Sequence, residues 1–436
     1  MGEFKYTTTE ATNHETTTSW SSYKYLRERE NGVQYRNDSV VANYYKYMSL
    51  KSIWGKNRDG CEDHGAIFNT EFSPDGKLLL AACERSAFLV FDPLNQKLIL
   101  TRSGAHNDGI NCIRFLDSRS FLTCSDDKTI ALWDARNLKS KVSSFVGHTS
   151  WVKSIEYCRS TKQLVTSAFD DTIRVWDLNR PSPSGFIEGR SVLKVARLTR
   201  MKLTPCGTKM IISSIAGHLV VIHNLDLEQL EARSGDHGIP FWNFSGTYHQ
   251  KAHYLPCTDV PWSAKNKFEV IEEFPEDTKP WCISSLEVHP HGWCIVIRYT
   301  GGDWHQEWTA LYDIQTKGKQ STDETDGAEC DISRPQRLIY CIEEPNVARG
   351  YIKEPCFSND GRVIGSPFGN TSRLLTFSQN CEELPNCLKK KTSRLIDFKT
   401  LISHKHPVLT SRFSPTHPIL SSGCRGGKVA FHYPHL

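Results

Sequence analysis

Two stretches decide the fold: HNDGINCIRFLDSRSFLTCSDDKTIALWD at residues 106–134 and HTSWVKSIEYCRSTKQLVTSAFDDTIRVWD at residues 148–177. Each begins with His and ends in Trp-Asp. Counted from the His, apolar residues fall at the same three offsets, Ile110, Ile113 and Phe115 in one and Val152, Ile155 and Tyr157 in the other. Short apolar runs bounded by turn residues give a strand pattern, with no long helical period competing. Units of this content repeating about every forty residues read as blades of a β-propeller.

The polar residues of the two stretches also match. His106, Thr123, Asp127 and Trp133 in the first correspond to His148, Thr166, Asp170 and Trp176 in the second. This pattern resembles the tetrad of WD repeats, in which His, a second-strand Ser or Thr, a turn Asp and a third-strand Trp form one hydrogen-bonded set. A buried polar set is tolerable only when every member is satisfied, so each tetrad is expected to lock one blade. A His/Asp pair could instead be a catalytic dyad. Duplication at a fixed period fits architecture better than a single active site.

Weaker copies run through the chain. The first and third apolar offsets recur at Ile67 and Phe72, Leu198 and Leu203, Ile283 and Val288, Ile352 and Phe357, and Val408 and Phe413. That makes seven units and predicts an all-β, seven-bladed propeller. Turn chemistry follows several of them, as in Ser73-Pro74-Asp75-Gly76 and Ser358-Asn359-Asp360-Gly361. The tetrad decays towards the ends: blade one has Asp63 at the His offset with His64 beside it, and the last has Gly426 and His432 for Asp and Trp. A propeller hides its strand edges by closing the ring, so a strand over Met48–Trp54 is expected to complete the last blade. Unit spacing stretches at about 231–279 and 319–347, read as loops between blades. The first of these carries Trp242, Tyr248, Tyr254 and Trp262 and then an acidic run, Glu269 to Asp277. It could be disordered, a binding segment or a degenerate eighth blade.

Composition narrows the class. A chain of 436 residues with 38% hydrophobic content accommodates one propeller plus an N-terminal arm. The net charge of +4, from 53 basic and 49 acidic residues, is too balanced to indicate a nucleic-acid binder. The run Lys389-Lys390-Lys391 reads as solvated loop. The 15 Cys residues sit singly, without Cys-x-x-Cys, which suggests reduced thiols and no metal. Residues 1–18 are polar and Thr-rich, read as a disordered tail without a signal-peptide core. No segment approaches the length of a membrane span. An intracellular setting, nuclear or cytoplasmic, is expected.

Residues 19–47 read as a helix-loop-helix arm. Ser19 can cap a first helix in which Trp20, Tyr23 and Leu26 recur at helical spacing, ending before Asn31-Gly32. A second short helix after Asn37 or Asp38 would carry Val40, Val41, Tyr44, Tyr45 and Tyr47. Two such helices are too short to be stable alone, so their apolar faces need a partner. That partner is either this propeller or another protein.

Blade two ends Trp133-Asp134-Ala135-Arg136, the form Trp-Asp-x-Arg. It resembles the signature of WD-repeat substrate receptors of cullin-4 RING ubiquitin ligases, in which this Arg contacts the adaptor, damaged-DNA-binding protein 1. Blade three departs from it, with Asn179 at that offset and Arg180 one place later. The runs His64 to Asn69, Glu71 to Gly76, Ile113 to Asp117, Gly147 to Lys153, Gly350 to Glu354 and Phe413 to His417 are also similar to one member of that family. The resemblance implies a protein that holds a protein substrate and has no chemistry or cofactor of its own. It further implies adaptor contacts through Arg136 and the arm residues Trp20, Tyr23, Leu26, Val40 and Tyr44. A rival reading is a scaffold in another assembly, whose arm packs on its own blade ring. A third is an enzyme, which needs convergent titratable groups on the inner strands. The offsets counted there are mainly Ile, Val, Leu and Phe. No nucleophile-and-base motif or phosphate loop appears; Gly301-Gly302 and Gly426-Gly427 suit turns.

Overall fold

The computed structural model describes residues 27, 30, 31, 37–55, 63–178, 189–195, 198–215, 217–230, 264–275, 278, 280–301, 306–315, 336–345, 352–389 and 391–435. These residues form seven sheets, antiparallel but for one short strand, arranged as the blades of a propeller. Blades one to seven have as their inner strands Ile67–Phe72, Ile110–Phe115, Val152–Cys158, Leu198–Leu203, Cys282–Val288, Cys356–Phe357 and Val408–Phe413. Each blade has four consecutive strands from the channel outwards, except where the ring closes and in blades five and six. Ser393–Arg394 adds a fifth strand, parallel to Leu338–Pro345, to blade five before the chain supplies blade six with its fourth.

Closure joins the two ends of the ring. Met48–Trp54 is the outer strand of blade seven and pairs antiparallel with Val429–Pro434, from Met48 opposite Pro434 to Trp54 opposite Val429. The apolar cores lie mainly between neighbouring blades. Leu80, Phe88, Ile110, Ile113 and Trp133 share one cluster between blades one and two, and Val165, Val175, Met201 and Ile212 another between blades three and four. A blade therefore buries its faces only against its neighbours, and the closed ring leaves no blade with a bare face.

Strand alternation assigns every loop to one of two faces. The first-to-second turns and third-to-fourth connections lie on one face, here called lower. The second-to-third turns and the connections between blades lie on the other, the upper face. Four lower turns share one geometry, with Gly76, Gly207, Gly292 and Gly361 at φ of 69° to 72°. Each Gly amide donates to the carbonyl three residues back, at 2.7 to 2.9 Å. Glycine suits this left-handed backbone because a Cβ would strain it.

The two stretched units need correction on this frame. Lys267–Ile271 is the fourth strand of blade four and Leu338–Pro345 the fourth strand of blade five. The additions thus fall mainly within blades, between third and fourth strands, and the described residues contain seven sheets without an eighth. Spacing between inner strands measures the whole unit, so it cannot tell on which side of the fourth strand extra residues lie. Residues 231–263 and 316–335, with Trp242, Tyr248, Tyr254 and Trp262, lie outside the described residues.

Helix α1, Asn37–Lys46, precedes the closing strand and so lies on the lower face. Its Val41, Ala42 and Tyr45 pack with Met48, Leu401 and Phe413 of blades six and seven. The Tyr45 hydroxyl donates to Asp360 at 3.1 Å, and Asp38 pairs with Arg362. Val40 and Tyr44, one position behind Val41 and Tyr45 on the helix, form a half-buried stripe along its flank. Of the first predicted helix, Arg27 and Glu30 are helical, whereas Trp20, Tyr23 and Leu26 fall outside the described residues.

Candidate functional site

In blade two, Trp133 Nε1 donates to Thr123 Oγ1 at 2.9 Å, and Thr123 Oγ1 lies 2.7 Å from His106 Nε2. His106 Nδ1 lies 2.9 Å from Asp127 Oδ2. The Trp donates, so the Thr hydroxyl can give its proton to Nε2, which leaves Nδ1–H facing the carboxylate. Blade three repeats the set: Trp176 to Thr166 at 2.8 Å, Thr166 to His148 at 2.8 Å, and His148 to Asp170 at 2.9 Å. The imidazoles are buried and fully engaged, an arrangement for rigidity.

Burial works against ionisation of Asp127 and Asp170. Hydrogen bonds outweigh it: from His106, the Asn107 amide and Thr129 for the first, and from His148, Thr172 and the Thr149 amide for the second. Both carboxyls are held far below the usual range. A carboxyl depressed by folding stabilises the fold above its unfolded pKa, about 4, and loses that contribution as pH falls further. Asp127→Asn and Asp170→Asn are each expected to cost about 1–3 kcal/mol at neutral pH, and less near pH 3. Urea unfolding at both pH values checks this, and an equal loss at both would count against it.

Blade seven holds a partial set. His404 Nε2 lies 2.9 Å from Ser422 Oγ, and buried His432 occupies the Trp position. The signal was available: His404 stands four residues before Val408, as His106 stands before Ile110. In blade one, His64 Nε2 instead reaches Gly427 O of blade seven at 2.9 Å.

The central channel overturns the expectation that its lining is apolar. Glu71 pairs with Arg114 at 3.1 Å, Arg114 with Glu156, and Glu156 with Lys202 at 3.4 Å. Lys202 pairs with Glu287 at 3.0 Å, Glu287 with Arg412 at 3.2 Å, and Arg412 with Glu71 at 2.8 Å, closing a ring. Successive strand residues point to opposite faces. The apolar offsets therefore mark the faces packed against neighbouring blades, and the charged residues fall between them. Every charge in this ring has opposite charges on both sides, so its six side chains are engaged with one another.

Elsewhere, buried Arg298 pairs with Glu307 and Glu344, each at about 2.8 Å or less, and Lys353 joins Glu307. This network bridges blades five and six where tetrads are missing. A cavity of about 450 Å³ beside Glu272, Phe274, Gln336 and Thr392 has its Glu273 carboxylate engaged by the amides of Arg337 and Leu338. Among the described residues no His, Cys, Asp and Glu cluster could hold a metal, and no helix is long and apolar enough to cross a membrane. The described cysteines are free thiols.

Arg136 lies on the lower face, in the third-to-fourth connection of blade two, and is exposed. Asp134 spends its hydrogen bonds elsewhere than on the Arg136 guanidinium: one carboxylate oxygen takes the Arg136 amide at 3.0 Å, and the other takes Arg119, at 2.9 and 2.6 Å. The Trp-Asp-x-Arg motif thus divides its labour, with Trp133 inside, Asp134 shaping the turn and Arg136 exposed on the surface. It shares the lower face with α1, which carries Val40 and Tyr44.

Seven blades with this chemistry define a WD-repeat β-propeller. The WD domain, G-beta repeat model matches residues 96–134 and 139–177. A solved relative in fold is the β-propeller domain of Cps50 (Swd1) from Myceliophteria thermophila, with a TM-score of 0.55 and 13% identity over 86% of this chain and 99% of that one. Closer in sequence is DDB1- and CUL4-associated factor 10 of Danio rerio, 43% identical over 86% of this chain and 75% of its own. The Xenopus laevis protein is 43% identical over 85% of both, and the Homo sapiens protein 42% identical over 85% of this chain and 70% of its own. The chain belongs to the DDB1- and CUL4-associated factor 10 family.

Proposed function

We propose that this protein is the substrate receptor of a cullin-4 RING ubiquitin ligase, binding the adaptor DDB1 by its lower face and presenting a protein substrate for ubiquitination. The observation that carries this reading is Arg136, exposed on the lower face while the Asp134 side chain holds Arg119, in a chain whose relatives are named for DDB1 and CUL4. The receptor needs no catalytic group or cofactor. Tethering a substrate beside a charged conjugating enzyme makes lysine attack effectively intramolecular, which raises its rate by effective concentration. Its place of action on this reading is inside the cell, nuclear or cytoplasmic, with neither nucleic acid nor membrane as a direct partner.

The arm bears on both this reading and the scaffold reading. A scaffold was expected to pack its arm on its own ring, and α1 does so through Val41, Ala42 and Tyr45. Its flanking stripe, Val40 and Tyr44, remains half-buried and on the same face as Arg136. Trp20, Tyr23 and Leu26 would extend this contact from the first arm helix. Deleting the arm would uncover Leu401 and Phe413, so point substitutions separate docking from folding better. Arg136→Ala and Val40→Asp/Tyr44→Asp are each expected to weaken binding to purified DDB1, with little change in melting temperature for the first. Folded wild-type protein that fails to bind DDB1 would leave the scaffold reading ahead.

A further inference from the structure

The strongest unassigned feature lies on the upper face of blade three. Trp151 and Phe169 are 47% and 39% exposed, with ring centroids 6.0 Å apart. Trp151 ends the connection from blade two, and Phe169 lies in the second-to-third turn of blade three. The Phe169 amide donates to the Trp151 carbonyl at 2.9 Å, which fixes the two loops together. Both large rings are thus held in water by a rigid frame.

The pair already receives one ammonium. Lys153 Nζ stands 4.8 Å from the Trp151 ring centroid and 5.1 Å from that of Phe169. The same Nζ donates to Asp126 at 2.8 Å and Asn111 at 3.0 Å, so its charge is balanced from blade two. Aromatic faces attract cations through their quadrupole. The exposed surface of the pair therefore keeps that preference while its own lysine is neutralised.

The surrounding charge has the matching sign. On the upper face of blades two and three, Asp108, Asp126, Asp127, Asp170 and Asp171 outnumber Lys128, Lys153 and Lys194. Their lower face reverses this, with exposed Arg136, Lys139, Lys141, Arg159 and Lys162. The acidic side disfavours nucleic acid, whose phosphates need cations.

We propose that Trp151 and Phe169, on an upper face that also carries Asp108 and Asp126, form a docking site for a lysine or arginine side chain in an extended segment of a protein substrate. Calling that segment substrate rests on the receptor reading; the site itself does not. The basic side chain stacks on the exposed ring surface, and the carboxylates set its sign.

The test uses the full chain and three fluorescein-labelled dodecapeptides, alternating Gly-Arg, Gly-Lys and Gly-Glu, in anisotropy titrations at about 150 mM NaCl, where long-range attraction is screened. The basic probes should bind and the Gly-Glu probe should not. Trp151→Ala/Phe169→Ala should weaken the basic probes about tenfold, and Asp108→Lys should weaken them too, both with DDB1 binding retained. Unchanged affinity in the double variant overturns the proposal, as does binding of Gly-Glu as tightly or no binding of the basic probes by folded protein. Loss of affinity together with loss of fold is identified by melting temperature, and Asp108→Lys then decides alone. Probe binding by a chain that does not bind DDB1 would sink the receptor reading and leave this site standing.

Discussion

Replacing Trp133 by alanine is expected to destabilise the propeller by about 3–5 kcal/mol. The indole is 1% exposed and sits at the seam of two blades. Phe88 of blade one meets it edge-on with centroids 5.1 Å apart, and Phe121 of its own blade stacks at 6.4 Å. Alanine would empty that space and remove the donor to Thr123, so a cavity and a broken hydrogen-bonded set arise together. Trp133→Phe isolates the second effect and should cost less, because a ring still fills most of the seam. Urea midpoints for the three proteins check the order, and an unchanged midpoint in Trp133→Ala would contradict the seam. Trp133→Ala should weaken DDB1 binding indirectly, in proportion to unfolding, whereas Arg136→Ala should weaken it in a folded protein.

The architecture was readable because its two best units carry both a strand period and an internal polar set. His106 to Trp133 and His148 to Trp176 declared the blade, and the apolar offsets then found its weaker copies. Face assignment was harder, since sequence spacing is blind to which side of a fourth strand an insertion occupies. The Arg298 network was not legible: its partners Glu307, Glu344 and Ser366 are recruited from strands 9 to 68 residues away, with no repeat to flag them. The channel ring was legible in the sequence. Four residues after the first apolar offset stand Glu71, Arg114, Glu156, Lys202, Glu287, Cys356 and Arg412 in blade order. These charges are interleaved with the apolar offsets that mark the strand. The upper-face pair could be found only in the fold, because Trp151 and Phe169 come from different loops.

Glu287→Gln should be the most damaging single change in the channel, at about 3–5 kcal/mol, the range for removing one partner of a buried ion pair. Signs alternate around this ring, and seven positions cannot alternate without a clash. Blade six resolves the conflict by placing neutral Cys356 at its position, and Arg412 of blade seven reaches past it to Glu287 at 3.2 Å. Glu287 is therefore the carboxylate that closes the ring across the odd blade. Removing it leaves Lys202 and Arg412 facing each other with no charge between them. Burial opposes ionisation of Glu287, but Arg412, Lys202 and Arg114 outweigh it and hold its carboxyl down to about 2. Its contribution is then complete above the unfolded value of about 4.5 and fades as pH drops towards 2. Glu287→Gln should consequently lose most stability at neutral pH and flatten the acid limb of the stability profile. Lys202→Met in the same chain restores charge balance, so the double variant should be more stable than the sum of its single losses predicts. Strict additivity of the two changes, measured by urea unfolding at neutral pH, would show that Lys202 and Glu287 do not interact, and would break the ring at that link.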